Sequence, residues 1–299
     1  MAVVLRRAGK RILRGLAGRR HAEPDAPPVA SDDAGGEQPI VHSILDSYTD
    51  AAPSAQQAVD IFAGEWSSRL PDQLGVESGW VGLFDDPRIE QLIAWLGDVE
   101  GIRVLELGPL EGGHTYMLDR AGAVVDAVES NSRAYLKCLV VKELLGIQRA
   151  RFLRGDFVAY LKEIDEQYDL VLASGVLYHM VDPIEFLELV AAASRRIALW
   201  THYFDEDVLA DSPTAQHFSA SAEPVTVGDR TYMLHPREYL HALASDGFGG
   251  GPRPYSRWME REDILDELRR LGFGKLEITH ETVDHMNGPA FLVLAERTD

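Results

Sequence analysis

The sequence predicts an α/β fold: a doubly wound parallel sheet with a terminal antiparallel hairpin and a lid-like insertion. Three observations carry that prediction. Five short apolar runs, at 102–107, 123–128, 150–153, 168–172 and 197–200, alternate with stretches of helical periodicity, the pattern of parallel strands joined by crossover helices. The first four runs lead into loops of glycines and polar residues, and in open α/β sheets the loops beyond the carboxyl ends of the strands form the ligand crevice. Two last runs, Lys275–Val283 and Ala290–Glu296, are joined by Asp284-His285-Met286-Asn287-Gly288, and Asn-Gly is a strong hairpin signal.

Residues 1–21 form a basic arm with Arg6, Arg7, Lys10, Arg11, Arg14, Arg19 and Arg20 and no acid. Leu5, Ile12 and Leu16 gather on one helical face, so three readings stay open. The arm is an amphipathic helix making peripheral membrane contact through residues 1–20, an Arg-rich organellar presequence that lacks serine, or a solvated tail. Arginines interrupt every apolar stretch, which excludes a secretory signal. Residues 22–50 read as a disordered linker, rich in Pro, Gly, Ser and Asp up to Pro39 and unable to bury a core.

Residues 51–100 read as an N-terminal helical cap. Ser54 and Gln57 make a capping box for a helix expected to run to Leu70, and Val59, Phe62 and Trp66 fall on one face. Trp66 is read as core rather than as a substrate stacker. A second helix has Asp86 as N-cap, Pro87 at its first position and Gly97 at its end, the asymmetry helices favour.

The domain at 101–299 opens on Val104-Leu105-Glu106-Leu107-Gly108-Pro109-Leu110-Glu111-Gly112-Gly113-His114, a strand, a glycine loop and a helix start. Gly108 and Gly112 let backbone approach a ligand, but the spacing departs from the dinucleotide fingerprint. Glu106 and Glu111 flank the loop, so a pyrophosphate is disfavoured and a neutral or cationic group preferred. Glu129, at the end of the second strand, stands where such domains place a carboxylate on ribose hydroxyls. Helices are expected over 115–120, Ser132–Leu145 with Gly146 as C-cap, 156–164, 183–192 and 261–271. The 201–256 stretch breaks the alternation into polar–aromatic loops and a Gly-rich segment, and reads as an insertion that covers substrate.

With these loops in order at four strand ends, the sequence resembles the class I S-adenosylmethionine-dependent methyltransferases over about 83–296. The resemblance implies a Rossmann-like methyltransferase sheet and S-adenosyl-L-methionine as cofactor. Glu106, Gly108 and Gly112 would surround its methionine part, Glu129 would take the ribose and Asp156 the adenine amino group beside Phe157. The Ser174–His179 loop would face cofactor and substrate, with Ser174 on the cofactor side. The Val176-Leu177-Tyr178-His179 loop is also similar to that of tRNA wobble-uridine carboxymethyltransferases, which use a carboxylated relative of the cofactor.

A sulfonium methyl is already electrophilic, so the protein must align a nucleophile and exclude water. For a hydroxyl nucleophile a histidine base is suitable, and His202 and His179 are the candidates. Tyr178, Tyr203 and His235 are the substrate-side candidates. Several reaction types lose support. The Asp/Asn-Pro-Pro-Tyr loop of adenine N-methyltransferases and the Pro-Cys nucleophile of cytosine carbon-5 enzymes are absent. The spacing of His202, Asp205, Glu206 and His235 matches no known cation cage, and no metal is expected. A net charge of −19 over 299 residues argues against a large nucleic-acid footprint. One cysteine, Cys138, excludes an internal disulfide and suggests a reducing, cytoplasmic setting. The expected activity is methylation of an oxygen on a small molecule or saccharide. A tRNA-modifying transferase and a non-catalytic cofactor-binding protein remain as alternatives.

Overall fold

The structure is a computed structural model that describes residues 48–210, 212–218, 220–244 and 250–298. The basic arm, the linker up to residue 47 and residues 245–249 of the Gly-rich segment lie outside the described residues. Five strands, β1 (Arg103–Leu107), β2 (Val124–Glu129), β3 (Ala150–Arg154), β4 (Leu170–Ser174) and β5 (Arg196–His202), run parallel. With β9 (Lys275–Thr282) and β10 (Ala290–Glu296) they form one sheet in the order β3-β2-β1-β4-β5-β10-β9. The predicted terminal hairpin is present, and β10 inserts antiparallel between β5 and β9. The order reverses between β1 and β4, the place where open α/β sheets form their crevice.

Helices cover both faces. Ile89 and Leu92 of α2 (Pro87–Leu96), Leu118 of α3 (Gly113–Ala121) and Cys138 and Val141 of α4 (Ser132–Leu145) pack into one core with Val104, Val125 and Leu172. Leu161 of α5 (Phe157–Glu163), Val190 of α6 (Pro183–Ala193) and Leu268 of α8 (Arg261–Arg270) pack into the other with Leu105, Val171 and Leu199. The period-two alternation of the strands decides which residue meets which core. The capping residues behave as the sequence predicts. Asp86 accepts the Arg88 amide, Asn131 accepts the amides of Arg133 and Ala134, and Gly146 closes α4 in the left-handed region.

Two segments differ from expectation. The helix expected over 54–70 is short: α1 (Ala55–Val59) is followed by one 3-10 turn, Asp60–Phe62. Gly64 at φ 78° turns the chain, and Ser67 and Ser68 spend their amides on the Glu111 carboxylate at 3.0 and 2.7 Å. The 201–256 stretch is not loops alone. It folds, after α7 (Glu206–Leu209), into an antiparallel sheet of β6 (Glu223–Val227), β7 (Arg230–Glu238) and β8 (Tyr255–Trp258). Tyr232, Leu234 and Pro236 are buried on β7 while Thr231 and Met233 face out, an alternation hidden by the proline and the polar residues between. Among the described residues no helix is long and apolar enough to cross a membrane.

Candidate functional site

The loops beyond β1, β2, β3 and β4 converge on one cavity of about 1130 Å³. One ligand of ordinary size needs roughly 300–1,000 Å³, so this cavity has room for two reactants. Gly108, Glu129, Asp156, Phe157 and Ser174 all line it. Gly108 sits at φ 67°, and a Cβ there would come within 2.8 Å of Val176. Leu110, a non-glycine at φ 54°, holds the next turn of the loop in a conformation that costs roughly 1–3 kcal/mol and is tolerated where surrounding contacts enforce it. Its amide donates to one oxygen of Glu129 at 3.2 Å, and Asn131 donates to the other at 2.7 Å. Each oxygen keeps a further lone pair for a hydroxyl. Burial pushes the Glu129 carboxyl up, against these backbone donors. Asp156 caps α5 through one oxygen, which accepts from Val158 and Ala159. Phe157 lies edge-on to Phe186.

The acids flanking the glycine loop do not present bare charge to a ligand. Glu106 is buried beneath the loop rather than on the cavity wall, because alternation along β1 turns it toward α3, where the Thr115 hydroxyl donates to it at 2.5 Å. Burial pushes its carboxyl up. Gly112 likewise lies behind the wall, as the left-handed N-cap of α3, where a Cβ would press on Phe152 at 3.1 Å. Glu111 reaches the cavity but is paired with Lys137 at 2.9 Å as well as with the Ser67 and Ser68 amides. Both acids that flank the glycine loop are thus engaged by the chain's own donors, which leaves the loop suited to the neutral group among the two kinds of ligand expected there.

The other end of the cavity is aromatic. Tyr178, Trp200, His202, His280 and His285 line it, and Arg88 lies over the Trp200 ring at 4.3 Å. Arg88 is clamped by both oxygens of Asp86, whose Oδ2 also meets His114 Nε2 at 2.9 Å. Burial works against ionising Asp86, but the bonds from His114 and Arg88 prevail and hold its carboxyl well below the usual range. His202 Nδ1 meets the Gly288 carbonyl at 2.8 Å, and His179 Nδ1 meets the Tyr239 hydroxyl at 2.8 Å. Burial lowers His202 to about 4, with a contribution from His285, and His179 to about 3, with one from Arg237. Burial likewise lowers His285 and pushes Tyr178 up to about 12. At neutral pH the imidazoles of His179, His202 and His285 are uncharged among these aromatic rings.

Two substrate-side candidates lie elsewhere. Tyr203 is one residue past His202, so alternation sends it through the sheet to pack on Phe291, with its hydroxyl 3.4 Å from Glu281. His235 stacks on Phe204 and meets Glu260 at 3.3 Å, away from the cavity wall. Neither is a wall of this site. Of the 201–256 stretch, His202 and residues 250–253 contribute to the lining, and its β8 docks on the Tyr178 loop through Trp258 Nε1, which donates to the Tyr178 carbonyl at 3.0 Å. Trp66 is core, as expected, and its indole donates to the Val59 carbonyl. Sequence reasoning missed Arg88, His114, Trp80, Trp200, His280 and His285. Trp80, 79% exposed at the mouth, had one available signal, as a tryptophan in a Gly-Ser-rich turn. Among the described residues no cluster of His, Cys, Asp and Glu is arranged to hold a metal.

No family model matches the chain. A curated relative, the tRNA U34 carboxymethyltransferase of Idiomarina loihiensis, is 24% identical over 185 residues, covering 60% of this chain and 51% of its own. The chain thus matches about half the length of that relative. Among solved structures, the N-terminal domain of EvdMO1 with SAH bound superposes with a TM-score of 0.60 at 22% identity, over 82% of this chain and 95% of that one. The same domain in the presence of SAH and D-fucose gives 0.59. These superpositions show the fold, and the chain has the class I S-adenosylmethionine-dependent methyltransferase fold.

Proposed function

We propose that this chain binds S-adenosylmethionine in the cavity and transfers its methyl group to a hydroxyl of a small molecule or saccharide. The observation that carries this reading is convergence: Gly108, Glu129, Asp156 and Ser174, from the ends of four parallel strands, line one cavity large enough for two reactants. The residues suit the cofactor. Gly108 allows close backbone approach, Glu129 has lone pairs for two ribose hydroxyls, and Phe157 offers an apolar surface for a purine. When bound, S-adenosylmethionine supplies a methyl carbon whose bond to sulfur breaks with the electron pair left on sulfur. The chain's own work is to hold both reactants, keep water out and receive the proton of the acceptor hydroxyl, for which the uncharged His202 and His179 are placed at the aromatic end. An acceptor that is itself a ring with hydroxyls fits that end, since it offers stacking faces and neutral hydrogen-bonding groups.

Calorimetric titration of the full chain with S-adenosylmethionine tests the reading. Micromolar binding is expected in the wild type and about 100-fold weaker binding in Glu129→Ala, the loss of two hydrogen bonds to a charged group. No binding to folded wild-type protein removes the proposal. A second reading, carboxymethyl transfer to tRNA, draws on the Idiomarina relative and on the Val176–His179 loop. It requires tRNA affinity that falls steeply with salt and preference for a carboxylated cofactor, both measurable in the same cell.

A further inference from the structure

His202 and His179 both expose imidazole to the aromatic end, but their partners differ in kind. A carbonyl oxygen can only accept a hydrogen bond, whereas a tyrosine hydroxyl can donate or accept. The Gly288 carbonyl at 2.8 Å, backed by the Pro289 carbonyl at 3.3 Å, therefore requires the proton of neutral His202 to sit on Nδ1. Nε2 then carries the lone pair. Among the described residues Nε2 has no protein partner, yet it is not a sealed, unsatisfied atom, and the residue lines the cavity.

The hairpin is built to deliver those carbonyls. Ala290 pairs with His202 across the β10–β5 ladder, which brings 288 and 289 to the imidazole. Gly288 is at φ 105°, and a Cβ there would meet the Trp258 ring at 3.0 Å. The same Trp258 ring lies parallel to His202, 5° apart in plane with centroids at 5.4 Å. Thus one indole holds the imidazole from its face and leaves no space for a side chain at 288. Tyr178, Trp200 and His285 surround the remaining sides at 4.6, 5.1 and 4.9 Å.

We infer that His202 is the proton acceptor of the transfer, acting through Nε2, and that Gly288 is a positioning residue whose carbonyl locks the imidazole in the Nδ1–H tautomer. This rests on the proposed transfer to a hydroxyl. The acceptor's O–H bond breaks, its electron pair stays on oxygen, and an N–H bond forms at Nε2. The groups facing the ring are uncharged His285, Tyr178 and two indoles, with the Arg237 guanidinium 5.4 Å from the Trp258 ring. Burial, His285 and Arg237 oppose a charged imidazole while the two carbonyls favour it. The balance keeps Nε2 bare through the physiological range.

The test uses full-length, ¹⁵N-labelled protein. Long-range ¹⁵N–¹H correlation spectra, with His202→Gln identifying the signal, are expected to show Nδ1 protonated and Nε2 bare from about pH 5 to about pH 8. A proton on Nε2, or titration at the ordinary value of about 6.5, overturns the proposal. Gly288→Ala is expected to mix the tautomers. If that variant does not fold, the wild-type spectrum alone decides. Calorimetry with S-adenosylmethionine separates cofactor binding from the state of the imidazole. His202→Gln is expected to bind within about threefold of wild type, and a loss beyond about tenfold, or 1.4 kcal/mol, would put His202 at the cofactor and overturn its assignment. Failure of the wild type to bind removes the function reading, while the tautomer is judged on the spectrum.

Discussion

The two ends of the cavity are built by opposite strategies. At the glycine-loop end, backbone amides and carboxylates are fixed by local hydrogen bonds: Glu129 by Leu110 and Asn131, Asp156 by the helix it caps, Glu111 by two amides and Lys137. At the aromatic end the groups come from β5, the Tyr178 turn, α2 and the terminal hairpin, and aromatic rings face inward beside one guanidinium, Arg88, which Asp86 holds. The first end depends on a short stretch of chain. The second depends on how distant segments pack.

The glycine-loop end is most vulnerable at its buried ion pair. Lys137→Met leaves the Glu111 carboxylate buried without its cation, and a loss of about 3–5 kcal/mol is expected, read as a large drop in denaturation midpoint. Adding Glu111→Gln should recover part of it. An unchanged midpoint would mean that the glycine loop is not prebuilt. Next comes Glu129→Ala, whose roughly 100-fold loss in cofactor affinity should leave the aromatic end intact, as judged by an unaltered His202 resonance.

Acid sharpens the contrast from the other side. His179 and His202 have folded values near 3 and 4, below the ordinary 6.5, so the unfolded chain binds protons that the native one does not. Stability therefore falls as pH drops below about 6.5, by up to about 1.4 kcal/mol per pH unit for each histidine, until their folded values are reached. Asp86, depressed in the folded state, contributes stability that is lost only below about pH 4. Between about pH 5 and 6.5 the raised carboxyls of Glu106 and Glu129 act with the opposite sign and the lowered His235 with the same one, so the share of His179 and His202 is read as the difference between wild type and a variant that lacks both. His179→Gln with His202→Gln should flatten the slope, and a slope that survives would assign it elsewhere. The smallest effect is at the mouth: Trp80→Ala should change stability by less than about 0.5 kcal/mol, and a larger loss would show that the indole is packed rather than presented.

The glycine-loop end was legible because each of its residues follows an apolar run within a few positions. Strand and loop are contiguous there, and period and glycine placement reveal both. The failures have physical reasons too. Tyr203 follows His202 directly, and the pleat places the two on opposite faces of the sheet. Glu106 matched its motif but sits under α3. Arg88, clamped by Asp86 over Trp200, is 112 positions from that ring in sequence, and no local pattern announces such a meeting. In the β6–β8 sheet Pro236 and its Arg and His neighbours conceal the alternation, so the stretch reads as loops.

The position of β10 has one more consequence, for the order of assembly. In space it lies between β5 and β9, yet it follows both along the chain. Until it threads into that gap, β9 has no neighbour in the sheet and β5 has a bare edge. The carbonyls that orient His202 stand immediately before it. During synthesis the parallel half can pair first, since its contacts close shorter loops, and the glycine-loop end can take shape with it. The imidazole acquires its orientation only when this late strand docks, so the loops beyond β1 to β4 can be in place before the aromatic end is complete.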